Sequence, residues 1–155
     1  MRDPDQIKVL AVSSGGGHWV QMRRVLPAFE GMRVVCVTVD AAYGSEVEHP
    51  VRVVRDATRW NRVGLVVLAG QMLRILLQER PAVVFSTGAA PGLLALAFGR
   101  LLGARTIWLD SVANVERISM SGRLAGRLAH LWLTQWPDLA RAGGPEYAGA
   151  VFCSC

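Results

Sequence analysis

The chain has 155 residues, of which 52% are hydrophobic and 19% charged, and its formal net charge is +5. This length fits one domain over residues 1–155, and the apolar content supplies a core and excludes a disordered chain. All but one of the 17 basic residues are arginines. They are scattered and form no run interleaved with aromatic residues, which argues against nucleic-acid binding.

Apolar, strand-like runs alternate with segments of helical periodicity along the chain. The predicted strands cover residues 7–14, 32–40, 51–56, 82–88, 105–111 and 131–136. The predicted helices run from the first glycines to about residue 31 and over residues 60–79, 90–103 and 119–130, with a polar loop over residues 41–50. This alternation, with no Pro/Ser-rich linker, predicts an α/β fold: an open, mostly parallel Rossmann-like sheet with helices on both faces.

Three predicted strands run into polar loops, and these loops are where we expect function. Their sequences are SSGGGH, STGAAPG and LDSVANVERIS. Ligands of parallel α/β sheets bind beyond the carboxyl ends of the strands. We therefore expect the three loops to meet at one edge of the sheet.

The first loop is rich in glycine but matches neither of the common nucleotide motifs. Val20 stands at the third glycine position of a dinucleotide fingerprint, and no Gly-Lys-Ser/Thr of a P-loop follows. A glycine turn at a helix start still offers free amides and a helix dipole to an anion. His18 opens that helix and is a candidate general base. The alternative is a tight turn in which His18 only neighbours the cap. The candidate phosphate-binding residues here are Ser14, Gly15, Gly16 and Gly17.

The second and third loops supply further candidates. Thr87 and Gly88 follow a strand and leave room for a ligand to approach the backbone, or they simply make a strand-to-helix turn. Asp110 and Ser111 end a buried strand and are candidate substrate-binding residues. Ser119 is a further candidate, or it caps the next helix.

Metal and cofactor chemistry is not expected. Cys36 lies in an apolar run, and Cys153 and Cys155 alone do not make a zinc site. His49 and His130 have no ligand-like spacing to other metal-binding residues and are interpreted as structural or exposed. The polar N-terminus and the odd cysteine count predict a cytoplasmic protein.

Four blocks together resemble a known family, the Alg14/PssD group of split GT-B glycosyltransferase halves, related to the N-domain of MurG-type enzymes. The blocks, in chain order, are SSGGGHWVQMRRVLP, STGAAPG, ISMSGRLAGRLAHLWLTQWPDL and PEYAGAVF. The resemblance implies an N-terminal half that binds a lipid-linked diphosphate acceptor. It also implies a separate Alg13/PssE-like subunit that binds the donor, a UDP-sugar, in exopolysaccharide or related glycan synthesis. In this family His18 corresponds to a candidate base for the acceptor hydroxyl, and the glycine loop meets a diphosphate.

The chain also departs from the family. Where relatives commonly have Glu-Ser…Ala-Arg, this sequence has Asp110-Ser111 and Ala113-Asn114. This leaves two hypotheses: a glycosyltransferase subunit, or a non-catalytic phosphate-binding, nucleotide-binding or scaffold module. Any peripheral contact with the inner face of the cytoplasmic membrane is expected on residues 60–77, whose arginines suit anionic headgroups. The alternative for that helix is core packing.

Overall fold

The computed structural model describes residues 7–152, which form a seven-stranded sheet with helices on both faces. Cys153 and Cys155 lie outside the described residues. The strands are β1 (Lys8–Val12), β2 (Arg33–Thr38), β3 (Val51–Val53), β4 (Val83–Ser86), β5 (Arg105–Leu109), β6 (Leu131–Thr134) and β7 (Glu146–Tyr147). The α-helices are α1 (Gly17–Val25), α2 (Arg62–Glu79), α3 (Ala89–Leu101) and α4 (Met120–Ala125). Shorter 3₁₀ segments are Leu26–Phe29, Ala41–Glu46 and Pro137–Leu139.

All neighbouring strands pair in parallel, in the order β3-β2-β1-β4-β5-β6-β7. The predicted fold class is therefore confirmed. The order reverses between β1 and β4, where the chain leaves one half of the sheet and starts the other. Such a switch point opens a crevice at the carboxyl ends of the strands, because the connecting helices lie on opposite faces there.

Each face of the sheet has its own core. Leu10 and Val12 of β1 point to the face covered by α2 and α3, where Leu68 and Leu96 are fully buried. The alternate β1 residues Val9 and Ala11 point to the face covered by α1, together with Trp19, Met22 and Leu26. Side chains of a strand alternate between faces, so the continuous apolar run of β1 is that of a strand buried on both sides.

Three details differ from the sequence prediction. The strand predicted to be last, over residues 131–136, ends at Thr134 and is followed by β7, a two-residue strand that sequence patterning did not show. Residues 41–46 of the predicted loop form a 3₁₀ segment. The predicted helix over residues 119–130 ends at Ala125, with Gly126 as its C-cap; Gly126 packs against the Trp132 ring, where a Cβ would have no room.

None of the helices in the described part of the chain has both the length and the apolar composition needed to cross a membrane.

A small ion cluster fixes the end of α2 against the sheet. Glu79 accepts from Lys8 Nζ of β1 at 2.7 Å and from Arg52 Nη2 of β3 at 2.7 Å. The hydrogen bond from Lys8, assisted by Arg52, lowers the pKa of the Glu79 carboxyl below its ordinary value. The cluster therefore stabilises the fold at pH values above the pKa that Glu79 has in the unfolded chain. That stabilisation is lost as the pH falls through the lower, folded-state pKa.

We expect Glu79→Gln to lower the free energy of unfolding at pH 7, and its difference from the wild type to shrink towards zero below about pH 4. Denaturant unfolding at a series of pH values measures both. Glu48→Gln, at an exposed position, is the control. A difference between Glu79→Gln and the wild type that does not change with pH would contradict this role for the cluster.

Candidate functional site

The glycine turn between β1 and α1 is shaped by contacts that differ at each glycine. Gly16 is the N-cap of α1 with φ +62°, a left-handed conformation that disfavours other residues. A Cβ at Gly15 would lie 3.1 Å from the Tyr43 hydroxyl oxygen. A Cβ at Gly17 would meet nothing within 4 Å. The turn is thus crowded on the Tyr43 side and open at the first residue of the helix, while Ser14 is half-buried behind it.

The first turn of α1 presents unpaired amides. The N–H of Gly16 donates to Tyr43 Oη at 2.9 Å, and the first intrahelical bond runs from Val20 N–H to the Gly16 carbonyl at 3.1 Å. The amides of Gly17, His18 and Trp19 have no acceptor among residues 7–152, and no side chain caps the helix. With the positive end of the helix dipole, these N–H groups favour an anion at this position.

His18 crosses the switch point and contacts the loop after β4. Its Nδ1 lies 2.9 Å from the Thr87 carbonyl oxygen, and the Thr87 hydroxyl donates to the His18 carbonyl at 2.8 Å. A carbonyl only accepts, so Nδ1 carries the proton and Nε2 of the neutral ring keeps a free lone pair. This is the tautomer that a general base requires at Nε2, and it is held by backbone rather than by a mobile side chain.

Gly88 makes room for the imidazole. Its φ is +138°, and a Cβ there would lie 2.6 Å from His18 Cε1. Ser86 Oγ accepts from the Gly88 N–H at 3.1 Å in the buried turn. Hence the structure brings together the candidates of the first two loops, and Gly88 is required by its contact with the histidine ring.

The third loop is organised around Asp110, which is 2% exposed. Its Oδ1 accepts from Ser119 Oγ at 2.6 Å and from Trp108 Nε1 at 3.2 Å, and its Oδ2 accepts from Asn114 Nδ2 and the Ser119 amide, each at 3.0 Å. Ser119 is also the N-cap of α4. These bonds occupy both carboxylate oxygens, so Asp110 holds the loop in shape. Asn114, which stands where relatives commonly have an arginine, donates to Asp110 within the loop.

Two buried glutamines, which sequence reasoning missed, join this loop to α1. Gln21 donates to Ser111 Oγ at 3.1 Å and accepts from the Val112 N–H at 3.1 Å. Gln135 donates to Gln21 Oε1 at 2.5 Å and to the Asp110 carbonyl at 2.9 Å. The sequence contained one signal for this network: Gln21 is a polar residue between Trp19 and Met22 on an otherwise apolar stripe of the helix. The network fixes the distance between the first and third loops.

The structure contains no group of three potential metal ligands among the residues it describes. Burial raises the pKa of the Cys36 thiol to about 11, which keeps it protonated and unreactive. His130 accepts from the Thr106 N–H at 3.1 Å, in keeping with a structural role.

No family model matches the chain. It is 31% identical over 109 residues to UDP-N-acetylglucosamine transferase subunit ALG14 of Eremothecium gossypii, a match that covers 66% of this chain and 45% of that protein. The chain thus corresponds to less than half the length of this relative.

Solved structures share the fold. MurG of Acinetobacter baumannii superposes with a TM-score of 0.74 at 14% identity, covering 91% of this chain and 45% of MurG. A UDP-N-acetylglucosamine 2-epimerase from Rickettsia bellii gives a TM-score of 0.70 at 11% identity, covering 94% and 45%. At such identities the likeness concerns the fold alone, and it defines the class: a Rossmann-like domain of the kind that forms the N-terminal half of a GT-B glycosyltransferase.

Within that class, the chain is similar in sequence to an ALG14 subunit, which agrees with the resemblance that its own motifs indicate.

Proposed function

We propose that the chain is the acceptor-binding subunit of a two-part glycosyltransferase. A separate Alg13/PssE-like subunit supplies the donor site, and the pair transfers a sugar from a UDP-sugar to a lipid-linked diphosphate acceptor in glycan synthesis. The relationship to a transferase subunit and the MurG-like fold support this proposal. The observation that carries it is the His18 imidazole, held with Nε2 free beside the unpaired amides of α1.

In the proposed reaction, the acceptor diphosphate lies against the amides of Gly17, His18 and Trp19. The acceptor hydroxyl gives its proton to His18 Nε2 while its oxygen forms a bond to the anomeric carbon of the donor sugar. The bond between that anomeric carbon and the diphosphate oxygen of the donor breaks, and the nucleoside diphosphate of the donor leaves. Thr87 keeps the Nδ1–H tautomer, which makes Nε2 the proton acceptor.

The other predicted site residues have supporting positions in this proposal. Ser14, Gly15 and Gly16 set the direction of the turn, and Gly88 admits the imidazole. Ser111 is tied to α1 through Gln21, while Asp110 and Ser119 keep the third loop rigid beside the crevice.

The experiment that tests the function is transfer by the purified pair. The chain, co-expressed with its Alg13/PssE-like partner, is expected to transfer sugar from a UDP-sugar to a lipid-diphosphate acceptor, and the chain alone is expected to be inactive. Failure to bind any such partner, or full activity of the isolated chain, would overturn the proposal.

Peripheral membrane contact is the second part of the proposal, and it rests on the outer face of α2. The inner face, with Leu68 and Met72, is core, but Val63 and Val66 are each 72% exposed; Trp60, two residues before the helix, is 81% exposed. Arginines at positions 59, 62 and 74 are also exposed. An exposed apolar helix face with a tryptophan and arginines suits an anionic bilayer surface.

We expect Val63→Asp combined with Val66→Asp to reduce binding to phosphatidylglycerol-containing vesicles by about tenfold or more, because two apolar contacts become charged. Vesicle co-sedimentation measures it. Val53→Asp, at a 47% exposed position on β3, is the single-charge control and is expected to change binding much less. Equal losses in both variants, or no binding by the wild type, would contradict the membrane contact.

A further inference from the structure

A second hollow lies on the same edge of the sheet, beyond β5 and β6. Its volume is about 320 Å³, at the lower end of the range for small-ligand sites. Its lining comes from the loop after β5, from α4 and from the turn after β6. Strands are spaced by about 4.8 Å, so the hollow is about 10 Å along the edge from the crevice between β1 and β4.

Three arginines line this hollow: Arg117, Arg123 and Arg141. Among residues 7–152, their guanidinium groups donate to no acceptor and form no ion pair. Glu116 and Asp138 line the same hollow without forming an ion pair with them. Each guanidinium offers five N–H donors in a planar fork that matches phosphate oxygens.

The backbone around the arginines is held by internal bonds. The four hydrogen bonds of Asp110 fix the loop that carries Arg117. The stem of Arg141 lies over Gly144, where a Cβ would be 2.5 Å from Arg141 Cγ. Trp136 Nε1 donates to the Val112 carbonyl at 2.7 Å and ties the turn after β6 to the same loop. A fixed backbone lowers the entropic cost of ordering the arginines around a ligand.

We propose that this hollow binds a phosphate-class oxyanion, such as the diphosphate of a nucleotide or of a lipid-linked molecule. The unpaired guanidinium groups around a hollow with net positive lining carry the proposal. It does not depend on the transfer reaction, nor on binding at the first turn of α1.

The test titrates inorganic pyrophosphate into the full chain by calorimetry, in a Gly17→Asp background that blocks the turn of α1 with a carboxylate. The triple variant Arg117→Gln, Arg123→Gln and Arg141→Gln is expected to weaken the remaining pyrophosphate affinity at least tenfold. The matched control, Arg33→Gln, Arg55→Gln and Arg127→Gln, removes the same charge at exposed positions elsewhere and is expected to retain it. Equal losses in the two triple variants, or none in the first, would overturn the proposal.

A second variant and two competitors complete the test. Gly144→Ala displaces the Arg141 side chain and is expected to weaken pyrophosphate binding several-fold without removing a charge. UDP and farnesyl diphosphate then compete with pyrophosphate, and the better competitor identifies the source of the oxyanion. If neither displaces pyrophosphate, the hollow is not a site for either. The pyrophosphate binding that Gly17→Asp alone removes is binding at the first turn of α1, which tests the proposed function. The binding that remains tests the hollow, so either proposal can fail without the other.

Discussion

Replacing His18 with alanine is expected to lower the rate of sugar transfer by the assembled pair by about 10²–10⁴-fold, the usual contribution of a general base. The physical reason is the loss of the lone pair at Nε2, which no neighbouring group replaces in the described structure. The fold should be unaffected beyond the loss of one half-buried ring, because Trp19 and Met22 anchor α1 through the core.

The measurement is the initial rate at saturating donor and acceptor, with unfolding monitored in parallel. His49→Ala is the control, since His49 is half-buried away from the crevice and is expected to leave the rate unchanged. Full transfer by His18→Ala would show that His18 is not the general base. The anion site at the first turn of α1 is tested separately by Gly17→Asp.

Replacing Gly17 with aspartate is expected to lower transfer and diphosphate binding by about 10- to 100-fold while making the protein more stable. A carboxylate in the first turn of a helix compensates the unpaired amides and the dipole, and aspartate has a better helix propensity than glycine. It is admitted without strain, because a Cβ at Gly17 meets nothing within 4 Å. The same charge repels an incoming diphosphate from the amides it would otherwise bind.

Opposite changes in stability and binding are the signature of this prediction. Thermal unfolding measures the first and titration with UDP or a lipid diphosphate the second. Gly17→Asn is the matched control, because it fills the same space without charge and is expected to keep binding within a few-fold of the wild type. To exclude binding at the arginine hollow, both proteins also carry Arg117→Gln, Arg123→Gln and Arg141→Gln. Undiminished diphosphate binding by Gly17→Asp in that background would show that no anion occupies the first turn of α1.

The sheet and its helices were predictable from the sequence because their signals are local. Continuous apolar runs predict buried parallel strands, and β1, β2, β4, β5 and β6 follow them closely. β7 was not predictable because a strand of two residues is too short to show a period, and its pairing with β6 is decided only by the tertiary fold. Residues 41–46 were assigned to a loop for the same reason: Tyr43 is fixed there by Trp19, which stacks on it at 4.9 Å.

The candidate site was predictable as a position but not as a set of bonds. Parallel strands ending in glycine and serine indicate the edge, and the structure brings Gly15–His18 and Thr87–Gly88 together there. The sequence could not show which hydrogen-bond partner each polar side chain has. Asp110 was predicted to bind substrate, yet its carboxylate oxygens accept hydrogen bonds from Trp108, Asn114 and Ser119. The glutamine pair that spaces the loops joins residues 114 positions apart, a separation beyond the reach of any local pattern.

The strand order has a consequence for how the protein is made. The first three strands are contiguous in sequence and neighbours in space, so a nascent chain can assemble that half of the sheet soon after residue 53 leaves the ribosome. The partner of β1 on its other side is β4, whose Val83 lies opposite Val9 and follows it by 74 residues in the sequence. Until it arrives, His18 has no Thr87 carbonyl to hold it. We therefore expect the imidazole to acquire its orientation late in folding, and slow steps in synthesis between β3 and β4 to delay binding competence without delaying the collapse of the first half.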